Sequence, residues 1–382
     1  MVSQRAREVT PFMAMDVLER ANELEDVIHL EVGEPDFSPP GTVTETAVES
    51  LRAGNTNYTA ARGKPELRRA IADRYEREYG ADVDPDRIVV TPGSSPGLLL
   101  AMAAVVDPGE EVALTDPHYA CYPNFVRTVG GRIETVPLRA SEGFHPRLAD
   151  FETVVGPGTR ALLLNSPANP TGAVMDGETL ASLVALAEAS ETTVIADEVY
   201  HGLSYGVEEH TVLEYTDEAF VLDGFSKRFA MTGWRLGWMV VPPEYVAAVN
   251  RLAQNTLICA PNFVQDAGVA ALETPTDRLD DIRETYRERR DLLVDAVEDW
   301  GLDLGYTPDG AYYLLADASD LPGDALDVAD LLLSEAGVAV TPGVDFGERA
   351  ADYLRFSYAI DLESIEEAIR RIGRLLETVE RV

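Results

Sequence analysis

Residues 88–106 read IVVTPGSSPGLLLAMAAVV, and this stretch decides the fold. Its first four residues are rich in β-branched side chains and predict a strand, whereas the apolar pattern over 96–106 predicts a helix. Strands that alternate with helices pair in parallel within a sheet that helices cover on both faces. This stretch therefore indicates an α/β architecture.

The same alternation continues along the chain on the C-terminal side of residue 106. Six further strands are predicted, at 111–115, 132–136, 161–165, 193–197, 220–223 and 236–241. A helical pattern at 177–190 precedes the strand at 193–197. We therefore expect a mostly parallel, seven-stranded sheet in a large domain of residues 31–277.

A smaller α+β domain is expected from the two ends of the chain, residues 1–30 and 278–382. Residues 278–300 predict a long charged helix between the domains, with an apolar seam of Ile282, Tyr286, Leu293 and Val297. Beyond it, the patterns predict a strand at 311–315 and helices at 326–336 and 363–379. A helical pattern at 13–25 has no strand of its own and is expected to join this lobe.

Acidic residues dominate the charge of this 382-residue chain, since 67 aspartates and glutamates stand against 31 lysines and arginines. The formal net charge of −36 repels polyanions, so neither nucleic acid nor an anionic membrane surface is expected as a partner. Such a charge opposes compaction unless salt screens it. We therefore expect a halophile-type protein that works in a saline cytoplasm.

Other features of the composition also favour a cytoplasmic protein. Two cysteines, Cys121 and Cys259, are too few for a disulfide framework. The longest apolar stretch, 98–106, is far shorter than the ~20 residues of a membrane-spanning helix. The first residues lack the apolar segment of a secretory signal. The 5 histidines show no metal-ligand spacing, so no metal site is predicted.

Lysine is rare in this chain, because only Lys64 and Lys227 occur and the other basic residues are arginines. Lys64 precedes a proline that starts a helical pattern, which predicts an exposed loop residue. Lys227 follows the predicted strand at 220–223, so its amine is expected at the carboxyl end of the sheet, where α/β proteins bind ligands. A sheltered amine there is a nucleophile toward aldehydes. From strand position alone, a solvated loop lysine is the more frequent case.

The sequence around Lys227 reads GFSKRFAMTGWRLG over 224–237. It resembles the cofactor-attachment signature of class I and II pyridoxal-phosphate-dependent aminotransferases, the aspartate aminotransferase-like enzymes of fold type I. Further motifs follow the family's order from GEPDF at 33–37 to RFSYA at 355–359. The resemblance therefore covers nearly the whole chain.

This resemblance implies the cofactor pyridoxal 5'-phosphate, which needs an amine, a carboxylate for its ring nitrogen, a phosphate cradle and a flat stacking group. Lys227 is the implied attachment residue and would form a Schiff base. Asp197, at the end of the predicted strand 193–197, is the implied partner of the ring nitrogen. On the residues alone, Asp197 also fits a buried cap of the following segment.

A phosphate cradle is indicated between the strand 88–91 and its helix, where backbone N–H groups meet the positive end of the helix dipole. The resemblance adds two ligands from the Lys227 segment, so that the implied phosphate set is Ser94, Ser95, Ser226 and Arg235. Arginine suits a bidentate grip on phosphate. A surface ion pair is the alternative for Arg235.

Three further side chains match cofactor contacts of the family. Tyr119 resembles the residue that stacks on the ring, and it also fits a core tyrosine. Asn169 and Tyr200 resemble the residues that hydrogen-bond the ring oxygen, and Tyr200 is expected to act in catalysis with Lys227 and Asp197. The Asn-Pro-Thr-Gly sequence at 169–172 is also good turn chemistry.

The resemblance also implies substrate contacts and a partner. Arg355 resembles the arginine that clamps the substrate α-carboxylate, with Gly33 and Asn169 beside it. Tyr58 resembles a tyrosine that reaches the phosphate of the neighbouring subunit, which implies a homodimer with shared active sites; local packing is the alternative. Some aspartate-using relatives carry lysine at the position of Ser95, so the donor amino acid stays open.

The implied activity is a ping-pong transfer of an amino group from an L-amino acid to a 2-oxo acid, with 2-oxoglutarate as the expected acceptor. Two alternatives remain. A carbon–sulfur β-lyase would use the same cofactor and break a different bond. A non-catalytic ligand-sensing module would normally carry a DNA-binding segment, and none is expected before residue 13.

Overall fold

The computed structural model describes residues 2–379, which form alternating strands and helices. The strands are β1 (Ile28–His29), β2 (Ile88–Thr91), β3 (Glu111–Asp116), β4 (Arg132–Pro137), β5 (Thr159–Asn165), β6 (Thr193–Asp197), β7 (Phe220–Gly224), β8 (Gly237–Val240), β9 (Tyr313–Asp317), β10 (Val338–Ala339), β11 (Thr341–Pro342) and β12 (Tyr353–Ser357). The α-helices are α1 (Gln4–Glu8), α2 (Met13–Ala21), α3 (Gly41–Arg52), α4 (Pro65–Tyr79), α5 (Ser94–Val105), α6 (Tyr122–Val129), α7 (Leu148–Phe151), α8 (Gly177–Ala189), α9 (Val246–Thr256), α10 (Asn262–Leu272), α11 (Thr276–Asp299), α12 (Ala325–Leu331) and α13 (Leu362–Leu376).

The central sheet contains seven strands in the order β2-β8-β7-β6-β5-β3-β4. Strand β8 runs antiparallel to both of its neighbours, and the other neighbouring strands are parallel. All seven strands of this sheet were predicted from the sequence, and the mostly parallel α/β sheet is confirmed.

Both faces of this sheet are buried except at the partly exposed edge strand β4, which explains why most of its strands have nearly continuous apolar runs. In β7, Val221 belongs to one hydrophobic core, and the next residue, Leu222, belongs to the core on the opposite face. In β6, Ala196 belongs to the same core as Val221, and its neighbour Ile195 belongs to the same core as Leu222. The carboxyl ends of β5, β6 and β7 therefore meet at one edge of a covered sheet.

A second, three-stranded antiparallel sheet of order β11-β12-β9 lies in the C-terminal part of the chain. The predicted seam of the long helix α11 is buried, at Ile282, Tyr286, Leu293 and Val297. Strand β9 begins two residues later than predicted, because Ala311 has a φ of 55° and cannot continue an extended strand. The short strands β11 and β12 were not predicted.

The N-terminal segment packs against this C-terminal part, as expected. Strand β1 pairs in parallel with β10, with Ile28 opposite Val338. On α2, Val17 and Ala21 share a small core with Leu333. The domain bounds after residues 30 and 277 stay a prediction, and residues 1 and 380–382 of the predicted small domain lie outside the described residues.

Candidate active site

A cavity of about 390 Å³ opens at the carboxyl edge of the seven-stranded sheet. Most residues predicted for the site line it: Gly33, Ser94, Ser95, Tyr119, Asn169, Asp197, Tyr200, Ser226, Lys227, Arg235 and Arg355. Phe12, Ala14 and Met15 of the N-terminal segment close one side. The fold therefore brings together side chains from both ends and the middle of the chain.

Lys227 lies in the loop after β7 and is partly buried. Its Nζ atom donates a hydrogen bond of 2.9 Å to the carbonyl oxygen of Gly33. The same atom is 5.7 Å from the ring centre of Tyr200 and 5.8 Å from that of Tyr312. The amine is thus held inside the cavity by a loop that is distant in sequence.

Asp197 ends β6 and places a buried carboxylate in the wall of the cavity. Its Oδ2 atom accepts a 2.8 Å hydrogen bond from the Tyr122 hydroxyl, and Oδ1 accepts one of 3.3 Å from the backbone N–H of Val199. Burial raises the pKa of Asp197 to about 6, although the hydrogen bond from Tyr122 acts in the opposite direction. A cation beside this carboxylate would stabilise its charged form.

An anion cradle lies where β2 passes into α5. Gly93 has a φ of 97°, which glycine adopts readily, and a Cβ atom built on it would overlap the guanidinium of Arg235. A Cβ atom on Gly237 would lie 2.8 Å from the backbone nitrogen of Ser94. The helix start, Arg235 and small residues therefore converge closely, which suits a bound phosphate.

Arg355 in β12 is buried, and its guanidinium is held on several sides. It donates to Asn169 Oδ1 at 3.0 Å, to Thr341 Oγ1 at 3.2 Å and to the carbonyl oxygen of Glu31. It stacks 4.3 Å from the ring centre of Tyr313. Its buried Nε atom has no hydrogen-bond partner among the described residues. The arrangement fixes a guanidinium at the cavity wall with capacity for a carboxylate.

Two tyrosines of the site were not predicted from the sequence. Tyr122 is the first residue of α6 and lies three residues after Tyr119, with their ring centres 5.3 Å apart. Tyr313 lines the cavity, and its hydroxyl lies 3.1 Å from that of Tyr200. The position of Tyr122, three residues after the predicted site residue Tyr119, was a sequence signal for its place in the site. No local sequence pattern indicated that Tyr313 belongs to the site.

Tyr58 is the predicted site residue that the fold leaves outside the cavity. Its side chain is 81% exposed. Within one chain, Tyr58 therefore lies apart from the other predicted site residues.

Residues 2–379 contain neither a cluster of metal-ligating side chains nor a membrane-spanning helix. Within residues 2–379, histidine, cysteine, aspartate and glutamate side chains form no cluster of three or more that could hold a metal ion. No helix in the described part of the chain is both long enough and apolar enough to cross a membrane.

Comparison with known proteins identifies the family. The family model for aminotransferase class I and II matches residues 25–372. The valine–pyruvate aminotransferase of Mycobacterium tuberculosis is 40% identical over 377 residues, covering 96% of this chain and 97% of that protein. The (5-formylfuran-3-yl)methyl phosphate transaminase of Methanocaldococcus jannaschii is 36% identical over 389 residues, covering 98% of this chain and 100% of that protein.

A solved structure gives the same result. The aspartate aminotransferase from Thermus thermophilus with maleate superposes with a TM-score of 0.94 at 36% identity, covering 98% of this chain and 99% of that chain. The fold is therefore that of a fold type I aminotransferase. The chain belongs to the class I and II aminotransferases, whose members use pyridoxal phosphate. It is a pyridoxal-phosphate-dependent transaminase.

Proposed function

We propose that this transaminase moves an amino group from an L-amino acid to 2-oxoglutarate by a ping-pong reaction, with Lys227 as its central catalytic residue. The observation that carries the proposal is the convergence of the Lys227 amine, the Asp197 carboxylate and the Arg355 guanidinium on one cavity. When bound, pyridoxal phosphate supplies an aldehyde for the amino group and an electron-withdrawing ring.

The residues of the cavity fit this cofactor. Lys227 Nζ would hold it covalently, and the Asp197 carboxylate would keep a proton on its ring nitrogen. Asp197 is buried with a raised pKa, so a positive ring nitrogen would supply the counter-charge that it lacks. Tyr119 would stack on the ring, while Asn169 and Tyr200 would hydrogen-bond its oxygen.

The cradle at the start of α5 fits the phosphate group. Ser94, Ser95, Ser226 and Arg235 all line this part of the cavity. The positive end of the helix dipole and the Arg235 guanidinium favour a dianion there, even though the chain as a whole is strongly acidic.

In the reaction, Arg355 would orient the substrate by its α-carboxylate, close to Gly33 and Asn169. The freed Lys227 amine would then take the proton from the substrate α-carbon. The first product is a 2-oxo acid, and 2-oxoglutarate would accept the amino group in the second half-reaction. This order predicts parallel lines in double-reciprocal plots at varied donor and acceptor concentrations.

The function is tested with Lys227→Ala and the matched variant Lys64→Ala, assayed at high salt. Lys64 pairs with Asp266 at 2.5 Å, outside the cavity. We expect Lys227→Ala to lose at least about 100-fold in turnover, the usual contribution of a positioned acid–base group, and Lys64→Ala to keep it. Full turnover in Lys227→Ala would refute the assignment.

A donor panel distinguishes the chemistry and the acceptor. Valine, alanine, aspartate and an aromatic amino acid are each supplied with 2-oxoglutarate, and oxo-acid exchange is measured. All of them except alanine are also supplied with pyruvate, because alanine and pyruvate only exchange into each other. Cystathionine is supplied separately, and release of pyruvate or ammonia from it in place of exchange would favour the β-lyase alternative. Exchange with pyruvate alone would overturn 2-oxoglutarate as the acceptor.

We also propose that the enzyme is a cytoplasmic homodimer. Its cysteines, Cys121 and Cys259, are free, which suits a reducing compartment. The exposed phenol of Tyr58 supports a role in a neighbouring subunit's phosphate site. Light scattering tests the dimer, and mixing inactive Lys227→Ala with Tyr58→Phe chains tests sharing. In a mixed dimer, the Tyr58→Phe chain supplies an intact Lys227 and the Lys227→Ala chain supplies an intact Tyr58. These two residues complete one active site only if Tyr58 acts across subunits, so activity should return only in that case.

A further inference from the structure

One backbone oxygen in the cavity serves two side chains. The carbonyl oxygen of Gly33 accepts a 2.9 Å hydrogen bond from Lys227 Nζ and a 3.0 Å hydrogen bond from the Tyr312 hydroxyl. When two donors share one carbonyl oxygen, each hydrogen bond draws electron density from the oxygen and so weakens the other hydrogen bond. The Tyr312 hydroxyl therefore affects the amine without touching it.

Tyr312 is placed to remain a donor at every working pH. It is fully buried, and its ring centre lies 5.4 Å from that of Tyr200, 5.4 Å from that of Tyr286 and 4.9 Å from that of Tyr313. Burial raises the pKa of Tyr312 well above its usual value. The hydroxyl thus stays protonated beside the Gly33 carbonyl.

The loop that carries Gly33 is held independently of this hydroxyl. A Cβ atom on Gly33 would overlap the hydroxyl of Tyr313, so the backbone is packed tightly there. Three residues later, Asp36 accepts two 2.8 Å hydrogen bonds from the buried Arg289. Removal of the Tyr312 hydroxyl should therefore leave the Gly33 carbonyl oxygen in position, with Lys227 Nζ as its remaining side-chain donor.

We propose that Tyr312 is a positioning residue that acts on Lys227 through the Gly33 carbonyl oxygen and limits how strongly that oxygen holds the amine in its positive form. A positive amine gains more from a carbonyl oxygen than a neutral amine does. Because the Tyr312 hydroxyl also donates to the Gly33 carbonyl oxygen, that oxygen stabilises the charged form of the Lys227 amine less. This inference rests on the proposed role of Lys227.

Other groups around the cavity also act on the amine, and their contribution must stay constant in a test. The titratable and charged side chains that line the cavity with Lys227 are Glu31, Glu34, Tyr119, Tyr122, Asp197, Tyr200, Arg235, Tyr313 and Arg355. Tyr312→Phe changes none of these side chains.

The test uses the full-length enzyme labelled with ¹³Cε-lysine and loaded with pyridoxamine phosphate, which has no aldehyde and leaves Lys227 free. The chain has two lysines, so the spectrum contains one signal from Lys227 and one from Lys64. Titration of the Lys227 signal gives its pKa, while the Lys64 signal serves as an internal control.

Tyr312→Phe should raise the pKa of Lys227 by about a few tenths of a unit, because the substitution leaves the bond from Lys227 in place and removes only the competing donor, and neighbouring hydrogen bonds change one another by a fraction of one bond. The matched variant is Tyr286→Phe, since the buried Tyr286 hydroxyl has no hydrogen-bond partner among the described residues. It should leave the pKa of Lys227 unchanged.

An unchanged or lowered pKa of Lys227 in Tyr312→Phe would overturn the inference, and so would an equal rise in Tyr286→Phe. Failure of the proposed function has a different signature. Turnover that survives in Lys227→Ala would remove Lys227 from the reaction, whatever the titration of its amine shows.

Discussion

The Tyr122 hydroxyl donates a 2.8 Å hydrogen bond to Oδ2 of Asp197, and both side chains are buried. This bond favours the charged carboxylate, in opposition to the burial that raises its pKa to about 6. The hydroxyl therefore helps to keep Asp197 charged near neutral pH, which its proposed role requires.

Tyr122→Phe should lower kcat by about tenfold, the kinetic equivalent of one hydrogen bond to a charged group. Without this bond the pKa of Asp197 rises further, so the acid limb of the kcat/KM profile should move to higher pH. Steady-state rates between pH 5 and pH 9 measure both effects.

Tyr79→Phe is the control for loss of a tyrosine hydroxyl elsewhere. That hydroxyl lies 2.9 Å from Nδ1 of His201 and does not line the cavity. Its removal should leave the acid limb in place. A wild-type pH profile in Tyr122→Phe would show that the bond to Asp197 has no part in the reaction.

Arg355→Lys should raise the KM for the donor amino acid by about 10- to 100-fold, with a smaller change in kcat. A lysine has no planar fork to grip a carboxylate with two hydrogen bonds. It also cannot reproduce the simultaneous bonds to Asn169 and Thr341 that orient Arg355. The KM is measured with the best donor of the panel.

The matched variant for this change is Arg139→Lys. Arg139 also makes two hydrogen bonds to one carboxylate, at 2.6 and 3.1 Å to Asp150, but it lies outside the cavity. A KM for the donor that stays at the wild-type value in Arg355→Lys would argue against the proposed carboxylate clamp.

Local patterns in the sequence were sufficient to predict the central sheet. Most of its strands are short apolar runs, and β7 illustrates why, since all five of its residues are buried between layers of helices. Strand β12 was missed because its run is interrupted by Arg355, a charged residue that is nevertheless buried. Strands β1 and β10 have two residues each, which is too short for any periodicity.

The candidate site was predictable where its residues belong to contiguous motifs, as Lys227 and Arg235 do. Contacts between segments that are distant in the sequence have no contiguous motif that would predict them. Tyr122 is 75 residues from Asp197 in the sequence, and Tyr312 is 279 residues from Gly33. Only the fold brings these pairs together, so their hydrogen bonds could not be predicted from spacing.

Glu198→Gln should stabilise the protein at alkaline pH. Glu198 is buried beside Asp197, and burial raises its pKa to about 8 in spite of hydrogen bonds from Thr211 and Val212. The folded state thus holds a proton that the unfolded state releases above its ordinary pKa of 4.5, so stability is lost as pH rises through this window.

The advantage of the glutamine should therefore grow from pH 5 to pH 9, reaching the order of a few kcal/mol. Denaturant unfolding at pH 5, 7 and 9 measures the free energy of unfolding of each variant. Glu188→Gln, at an exposed position of α8, is the control and should show no such trend. An advantage for Glu198→Gln that is independent of pH would exclude titration of Glu198 as its cause.

Salt should stabilise this protein, because its net charge of −36 places like charges close together over the whole surface. The screening length falls from about 10 Å at 0.1 M salt to about 3 Å at 1 M, which removes most repulsion between neighbouring carboxylates. We expect the thermal midpoint to rise by several degrees between 0.1 M and 2 M KCl. Sucrose at matched osmolality is the uncharged control and should produce a smaller rise, since it strengthens burial without screening charge. Equal midpoints in dilute buffer and in molar KCl would contradict a saline cytoplasm as the working environment of this enzyme.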